Sequence, residues 1–203
     1  MHLLLALFLL ISACSPAQQT DSRATVAATL APDKVLIVYL SRTNNIKAIA
    51  EIIHKHVGGK LVALELVTPY PQDYRTTVEQ VARENETGFL PALKTKIDSI
   101  QQYDVVFVGF PTWGMQLPPP VKSFLRQNDL SGKTVIPFNS NAGYGVGSSF
   151  QTVKELCPDS KILEGFTTKG GVERDGQYLV IKGQRADEVK REVKKWLQKL
   201  NVI

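Results

Sequence analysis

From residue 34 onward the chain alternates short, wholly apolar runs with longer stretches in which apolar residues recur at helical spacing. The run 35–40 (VLIVYL) has no charged position, which suits a strand covered on both faces. Residues 44–57 follow with helical spacing. Further strand-like runs fall at 61–67, 104–110 (DVVFVGF), 134–138 (TVIPF) and 161–166, separated by helical candidates at 74–97, 118–127, 147–156 and 185–200. Five strands interleaved with helices predict an α/β domain with a parallel sheet and helices on both faces. The final helix aligns Ala186, Val189, Val193, Trp196, Leu197 and Leu200 in one stripe and leaves Lys190, Arg191, Lys194, Lys195 and Lys199 outside it. That is a core-facing stripe with a solvated basic face, a face that also suits anionic lipid.

The N-terminus follows another pattern. Residues 1–14 (MHLLLALFLLISAC) contain no Lys, Arg, Asp or Glu. An apolar run of about twelve residues is shorter than the roughly 20 that span a bilayer as a helix, so it reads as the core of a signal peptide. Its ending, Leu10-Ile11-Ser12-Ala13-Cys14, resembles a bacterial lipobox, whose Cys is diacylated and becomes the mature N-terminus. Cleavage after a small residue without lipidation is the alternative. Residues 15–33 are small, polar and bounded by Pro, the composition of a tether. The expected organisation is therefore a signal peptide over 1–14, a tether over 15–33 and a folded domain over 34–203. Such a protein is exported and lipid-anchored to a bacterial membrane, on its periplasmic or cell-surface side. Cys14 and Cys157 are the two cysteines, so an acylated Cys14 leaves no internal disulfide to expect.

Composition narrows the class further. At roughly 150 residues per domain, 203 residues make one domain. An apolar fraction of 43% with 21% charged residues excludes disordered and collagen-like chains. The net charge of +5 arises from basic residues scattered along the chain and gathered most in the last helix, a pattern that does not indicate nucleic acid as partner.

Three loops follow the carboxyl ends of predicted strands, where open α/β sheets place their ligands. Ser41-Arg42-Thr43-Asn44-Asn45-Ile46-Lys47 leads into a helix and is rich in hydroxyls and amides, as an anion site at a helix N-terminus would be; simple N-capping is the other use of such residues. Residues 110–118 (FPTWGMQLP) set Trp113 beside Gly114, either as a stacking platform or folded onto the core. Residues 139–147 (NSNAGYGVG) hold three glycines that permit close backbone approach. Loops 111–117 and 139–147 contain no Asp, Glu, Lys or Arg, so a ligand between them would have neutral neighbours. Other signatures fail. The third loop has Ser148 where a dinucleotide fingerprint needs Gly, and Gly132-Lys133-Thr134 has Gln127 where a P-loop needs Gly. His54 and His56 are two residues apart in a helix and point to different faces, which makes them poor joint metal ligands.

Together these loops, with Pro69-Tyr70-Pro71-Gln72-Asp73-Tyr74, the stretch 109–125 (GFPTWGMQLPPPVKSFL), Asp129-Leu130-Ser131-Gly132-Lys133-Thr134 and Pro137-Phe138, resemble the flavodoxin family over about 34–200. The resemblance implies a three-layer sandwich with a five-stranded parallel sheet of order 2-1-3-4-5 and FMN at the switch point between the first and third strands. It implies a phosphate loop of Ser41, Arg42, Thr43, Asn44, Asn45 and Ile46. Pro111, Thr112, Trp113, Gly114 and Met115 would line one face of the flavin ring, and Asn139, Ser140, Asn141, Gly143 and Gly145 would approach its other edge. Ile46 stands where the family usually carries Thr, and the basic balance departs from the acidic surface of electron-carrier flavodoxins. The expected function is electron transfer by an FMN-binding protein tethered to a membrane surface through Cys14, with a redox protein or a small quinone-like acceptor as partner. Its alternatives are an FMN-dependent NAD(P)H:quinone-type oxidoreductase and a flavin-binding lipoprotein without turnover.

Overall fold

In the computed structural model, residues 30–203 are described, so Cys14, the lipobox and most of the tether lie outside them. Strands β1 (Val35–Tyr39), β2 (Lys60–Ala63), β3 (Val105–Pro111), β4 (Thr134–Asn141), β5 (Lys161–Ile162) and β6 (Phe166–Lys169) form one sheet. Its order is β2-β1-β3-β4-β5, with β6 also on β4, and every pairing is parallel. The continuous apolar runs have the predicted cause, because all five residues of β1 are buried. Val35, Ile37 and Tyr39 face helices α1 (Asn45–Val57) and α5 (Gly183–Lys199). Leu36, Val38 and Leu40 share the opposite core with Val121 and Phe124 of α3 (Pro119–Gln127) and Val153 of α4 (Ser149–Leu156). The three-layer sandwich is thus built by strict alternation across the sheet.

Two expected elements come out shorter. The helix foreseen over 74–97 is α2, Tyr74–Thr87, because Gly88 takes a left-handed conformation (φ 67°, ψ 21°) and the amides of Gly88 and Phe89 both close on Glu84 O. The strand foreseen over 61–67 ends at Ala63, and Leu66 instead forms an antiparallel bridge with Leu93 from the segment returning after α2. The foreseen fifth strand, 161–166, is two pieces. Lys161 pairs with Thr134 and Phe166 with Phe138, so the register gains one residue between them, a bulge in edge position. At that point Glu164 O accepts Trp196 Nε1 at 2.9 Å, and Gly165 lies so close to Phe150 that a Cβ would stand 2.6 Å from the ring. Glycine is also required at Gly109, where a Cβ would sit 2.1 Å from the Phe138 ring.

Candidate functional site

In this strand order the chain leaves β1 for the α1/α5 layer and leaves the neighbouring β3 for the opposite layer, so the loops that follow the paired strands diverge. The opening is a cleft of about 390 Å³, within the size range of small-ligand sites. It is lined by Ser41, Arg42, Thr43, Asn45 and Ile46 from the first loop, by Pro111, Thr112, Trp113, Gly114 and Gln116 from the second, and by Ser140, Asn141 and Ala142 from the third. Three segments far apart in sequence therefore meet at one place.

In the first loop Asn44 adopts a left-handed conformation (φ 63°) and turns the chain into α1, so it lies outside the lining. Ser41 Oγ accepts the Lys47 amide at 3.2 Å. Asn45 is buried and its amide is fully used: Nδ2 donates to Thr43 Oγ1 (2.9 Å) and Tyr178 O (2.6 Å), while Oδ1 accepts the amides of Val180 (3.0 Å) and Ile181 (3.2 Å). Asn45 is thereby a clamp on the chain preceding α5. Arg42 is engaged as well, donating to Glu173 (2.6 Å) and to the carbonyls of Pro71 (2.9 Å) and Gln72 (2.8 Å). Ile46 is 1% exposed and packs in the core beneath the cleft.

The second loop makes a tight turn. Trp113 and Gln116 exchange backbone hydrogen bonds (3.0 and 3.3 Å), and Gly114 and Met115 between them both have positive φ, 56° and 59°. That pattern is a type I′ turn, which Gly accepts freely and Met accepts with strain. Met115 is left exposed and outside the cleft lining, and Gln116 stands there instead. Trp113 is half-buried, its ring meeting Tyr70 edge-on at 5.3 Å and 87°. Tyr70 in turn donates its hydroxyl to the buried Glu84. Burial, then the hydrogen bond to Glu84 and its charge, push the Tyr70 hydroxyl well above its ordinary value.

Only part of the third loop reaches the cleft. Asn139 is buried within the sheet, donating to Phe110 O (2.9 Å) and Thr112 Oγ1 (3.0 Å) and accepting from Thr167 and Asn141. Asn141 Oδ1 accepts the amides of Gly143 and Gly145, which curls that part of the loop back on itself. Asn139, Gly143 and Gly145 thus shape the loop, whereas Ser140 and Asn141 line the cleft.

A fourth wall escaped the sequence reading. Tyr74, Thr77, Val78, Val81, Ala82, Asn85 and Glu86 of α2 close the cleft opposite the loops. Their i, i+3, i+4, i+7 spacing was legible, but a stripe of that kind ordinarily marks a core face. Here it is partly bare, with Tyr74 40% and Val78 46% exposed. Glu86 and the Arg42–Glu173 pair also line the cleft, on walls other than the uncharged second and third loops. Among the described residues no three His, Cys, Asp or Glu side chains are grouped to hold a metal ion, and no helix is long and apolar enough to cross a membrane. The Cys157 thiol is buried and pushed up to about 11 by that burial.

The flavodoxin family model matches residues 34–180. No curated protein matches the sequence. A candidate flavoprotein from Bacteroides eggerthii DSM 20697 is 28% identical with a TM-score of 0.67, covering 84% of this chain and 99% of its own. Another, from Bacteroides uniformis ATCC 8492, is 23% identical with a TM-score of 0.66, covering 81% and 99%. The flavoprotein of Lactobacillus acidophilus NCFM, solved in complex with FMN, is 20% identical with a TM-score of 0.60, covering 71% and 98%.

Proposed function

The chain belongs to the flavodoxin family, and on that premise we propose that its cleft binds FMN and that the protein transfers electrons. The observation that carries this reading is the convergence of the loops after β1, β3 and β4 on one cleft at the switch point of the sheet. The residues suit a flat phosphorylated ligand. Ser41 and Thr43 supply hydroxyls beside the N-terminal turn of the 13-residue helix α1, where amides and helix dipole favour an anion. Trp113 supplies an aromatic wall, held edge-on by Tyr70. At Gly114 a Cβ would meet nothing within 4 Å, so the backbone there lies open to a ligand. When bound, the flavin supplies the redox chemistry; the protein binds it, orients it and sets the charges around it. Titration of the protein with FMN, followed by flavin absorption and fluorescence, is the test. A saturable one-to-one spectral change supports the reading, and unchanged spectra at stoichiometric protein overturn it.

A second reading rests on the partly bare apolar wall of α2, which suits a small planar acceptor such as a quinone reduced at the expense of NAD(P)H. Flavin-dependent oxidation of NADPH by quinone with no second protein present would favour it, and reduction that needs a protein donor would favour the carrier. We further propose that Cys14 is acylated and holds the protein at a bacterial membrane; the apolar run 1–14 and its lipobox-like ending support this.

A further inference from the structure

The two helices that cover one face of the sheet leave a second concavity between them, away from the cleft. This groove, about 300 Å³, is lined by Ile52, Lys55 and His56 of α1 and Lys190, Arg191 and Lys194 of α5. Its origin is simple. Each helix turns an apolar stripe to the sheet, Ile49 and Ile53 on α1 and Val189, Val193 and Leu197 on α5, and the outward positions flanking the seam are basic. Ile52, 6% exposed, forms an apolar floor, and the five basic residues around it are all exposed. Long basic side chains arranged this way lay their methylenes along apolar surface and hold their charges outward.

Asp187, near both Lys190 and Arg191, offsets part of this charge and leaves most of the cations without an ion pair. Lys190 is paired with Asp187 at 2.8 Å, whereas Lys55, Arg191 and Lys194 have no ion-pair partner among the described residues. Several cations around an apolar floor favour an occupant that offers negative charge together with hydrocarbon, which describes the headgroup region of an anionic bilayer better than a free anion.

The path of the chain agrees with that occupant. The segment preceding β1 enters beside the end of α1, where Pro32 packs against Gly58 so closely that a Cβ on Gly58 would stand 2.9 Å from Pro32 Cβ. The described chain therefore enters the domain next to the helical turn that bears Lys55 and His56. The FMN cleft is at the other end of the strands.

We propose that the α1/α5 groove docks the domain on an anionic phospholipid surface, with the redox cleft turned away from the membrane. The proposal rests in part on the reading of Cys14 as an anchor, and its test separates the two. The full chain carrying Cys14→Ser is mixed with vesicles of equimolar phosphatidylglycerol and phosphatidylcholine, and with vesicles of phosphatidylcholine alone. Binding to the anionic vesicles alone, weakened by raised salt, is expected. The triple variant Lys55→Glu/Arg191→Glu/Lys194→Glu should lose about 100-fold or more in partitioning, from about 5-fold per basic residue near such a surface. The variant Lys96→Glu/Lys154→Glu/Lys161→Glu makes the same change in net charge elsewhere and should keep most of the binding. FMN affinity, measured alongside, should be the same in all of them and reports that each is folded. Equal binding to neutral vesicles, as insertion of residues 1–13 would give, overturns the proposal. So does unimpaired binding of the triple variant, or retention of the chain by duplex DNA and not by vesicles. None of these outcomes bears on acylation, which is read separately from the wild-type chain in cells.

Discussion

Arg42 and Glu173 lie 131 positions apart in the chain and form an ion pair at 2.6 Å, both side chains less than one-fifth exposed. The same guanidinium holds the carbonyls of Pro71 and Gln72, so one side chain ties the first loop to the segments after β2 and after β6. Arg42 thus braces the mouth of the cleft. Its planar fork reaches three acceptors from three separate nitrogens, whereas a lysine gathers all its donors on one.

Arg42→Ala and Glu173→Gln should each destabilise the fold by about 1–3 kcal/mol, and Arg42→Lys should fail to restore Arg42→Ala fully. A double-mutant cycle in denaturant melts measures the coupling. Strictly additive losses would show that the two side chains act independently.

Asn45→Ala should cost about 1–3 kcal/mol, because it leaves the buried amide of Ile181 and the half-buried amide of Val180 and carbonyl of Tyr178 without their partner. Asn45→Asp keeps the acceptor and loses the donor, so it should fall between wild type and Asn45→Ala in unfolding free energy. Accelerated hydrogen exchange at Val180 and Ile181 is the local readout.

Ile46→Thr sets two effects against each other. Removing apolar volume from a site 1% exposed and introducing a hydroxyl there should lower stability by about 1–3 kcal/mol. The residue also lines the cleft, and a hydroxyl reaching the FMN phosphate should tighten binding about ten-fold. Thermal melts and FMN titrations of the same variant separate the terms; an unchanged FMN affinity there and in Thr43→Ala would move the phosphate away from this loop.

Tyr70 predicts an alkaline limb of stability. Its pKa is raised in the folded state, so its contribution is fully present below the unfolded value of about 10 and is lost as pH climbs above it. Tyr39, also raised by burial and by Glu51, adds to the same limb. Tyr70→Phe should flatten the loss above about pH 10 while lowering stability at neutral pH, where Glu84 loses a hydrogen bond.

Cys14→Ser should release the chain from the membrane fraction of the bacterium after a high-salt wash, since two or more acyl chains anchor stably and salt removes electrostatic contact. Persistence of the variant in that fraction at the wild-type level would argue against acylation.

The strands β1, β3 and β4, the helices α1, α3, α4 and α5 and the three ligand loops were legible in the sequence, because each is a local pattern: continuous apolar runs for covered strands, a helical stripe for each helix, and Gly, Asn and Ser after strand ends. The resemblance to the flavodoxin family, carried by several such stretches in order, also anticipated the sheet order. Division of labour inside the loops was not legible. Asn45 and Asn141 are both amides in ligand loops and both border the cleft, yet Asn45 is consumed by Thr43 and by backbone groups that approach from residues 178–181, and Asn141 by Asn139, Thr167 and the amides of Gly143 and Gly145. Arg42 reads as an anion donor until Glu173 arrives from the far end of the chain. The stripe on α2 reads as core until the segment 64–67 leaves the sheet and α2 stands across the cleft instead of on a sheet face. Pattern records which residues can be covered and which can turn. What covers them, and which hydrogen-bonding groups are left for a ligand, depends on contacts between segments distant in the chain, some more than a hundred positions apart, and those exist only once the sheet has closed its order.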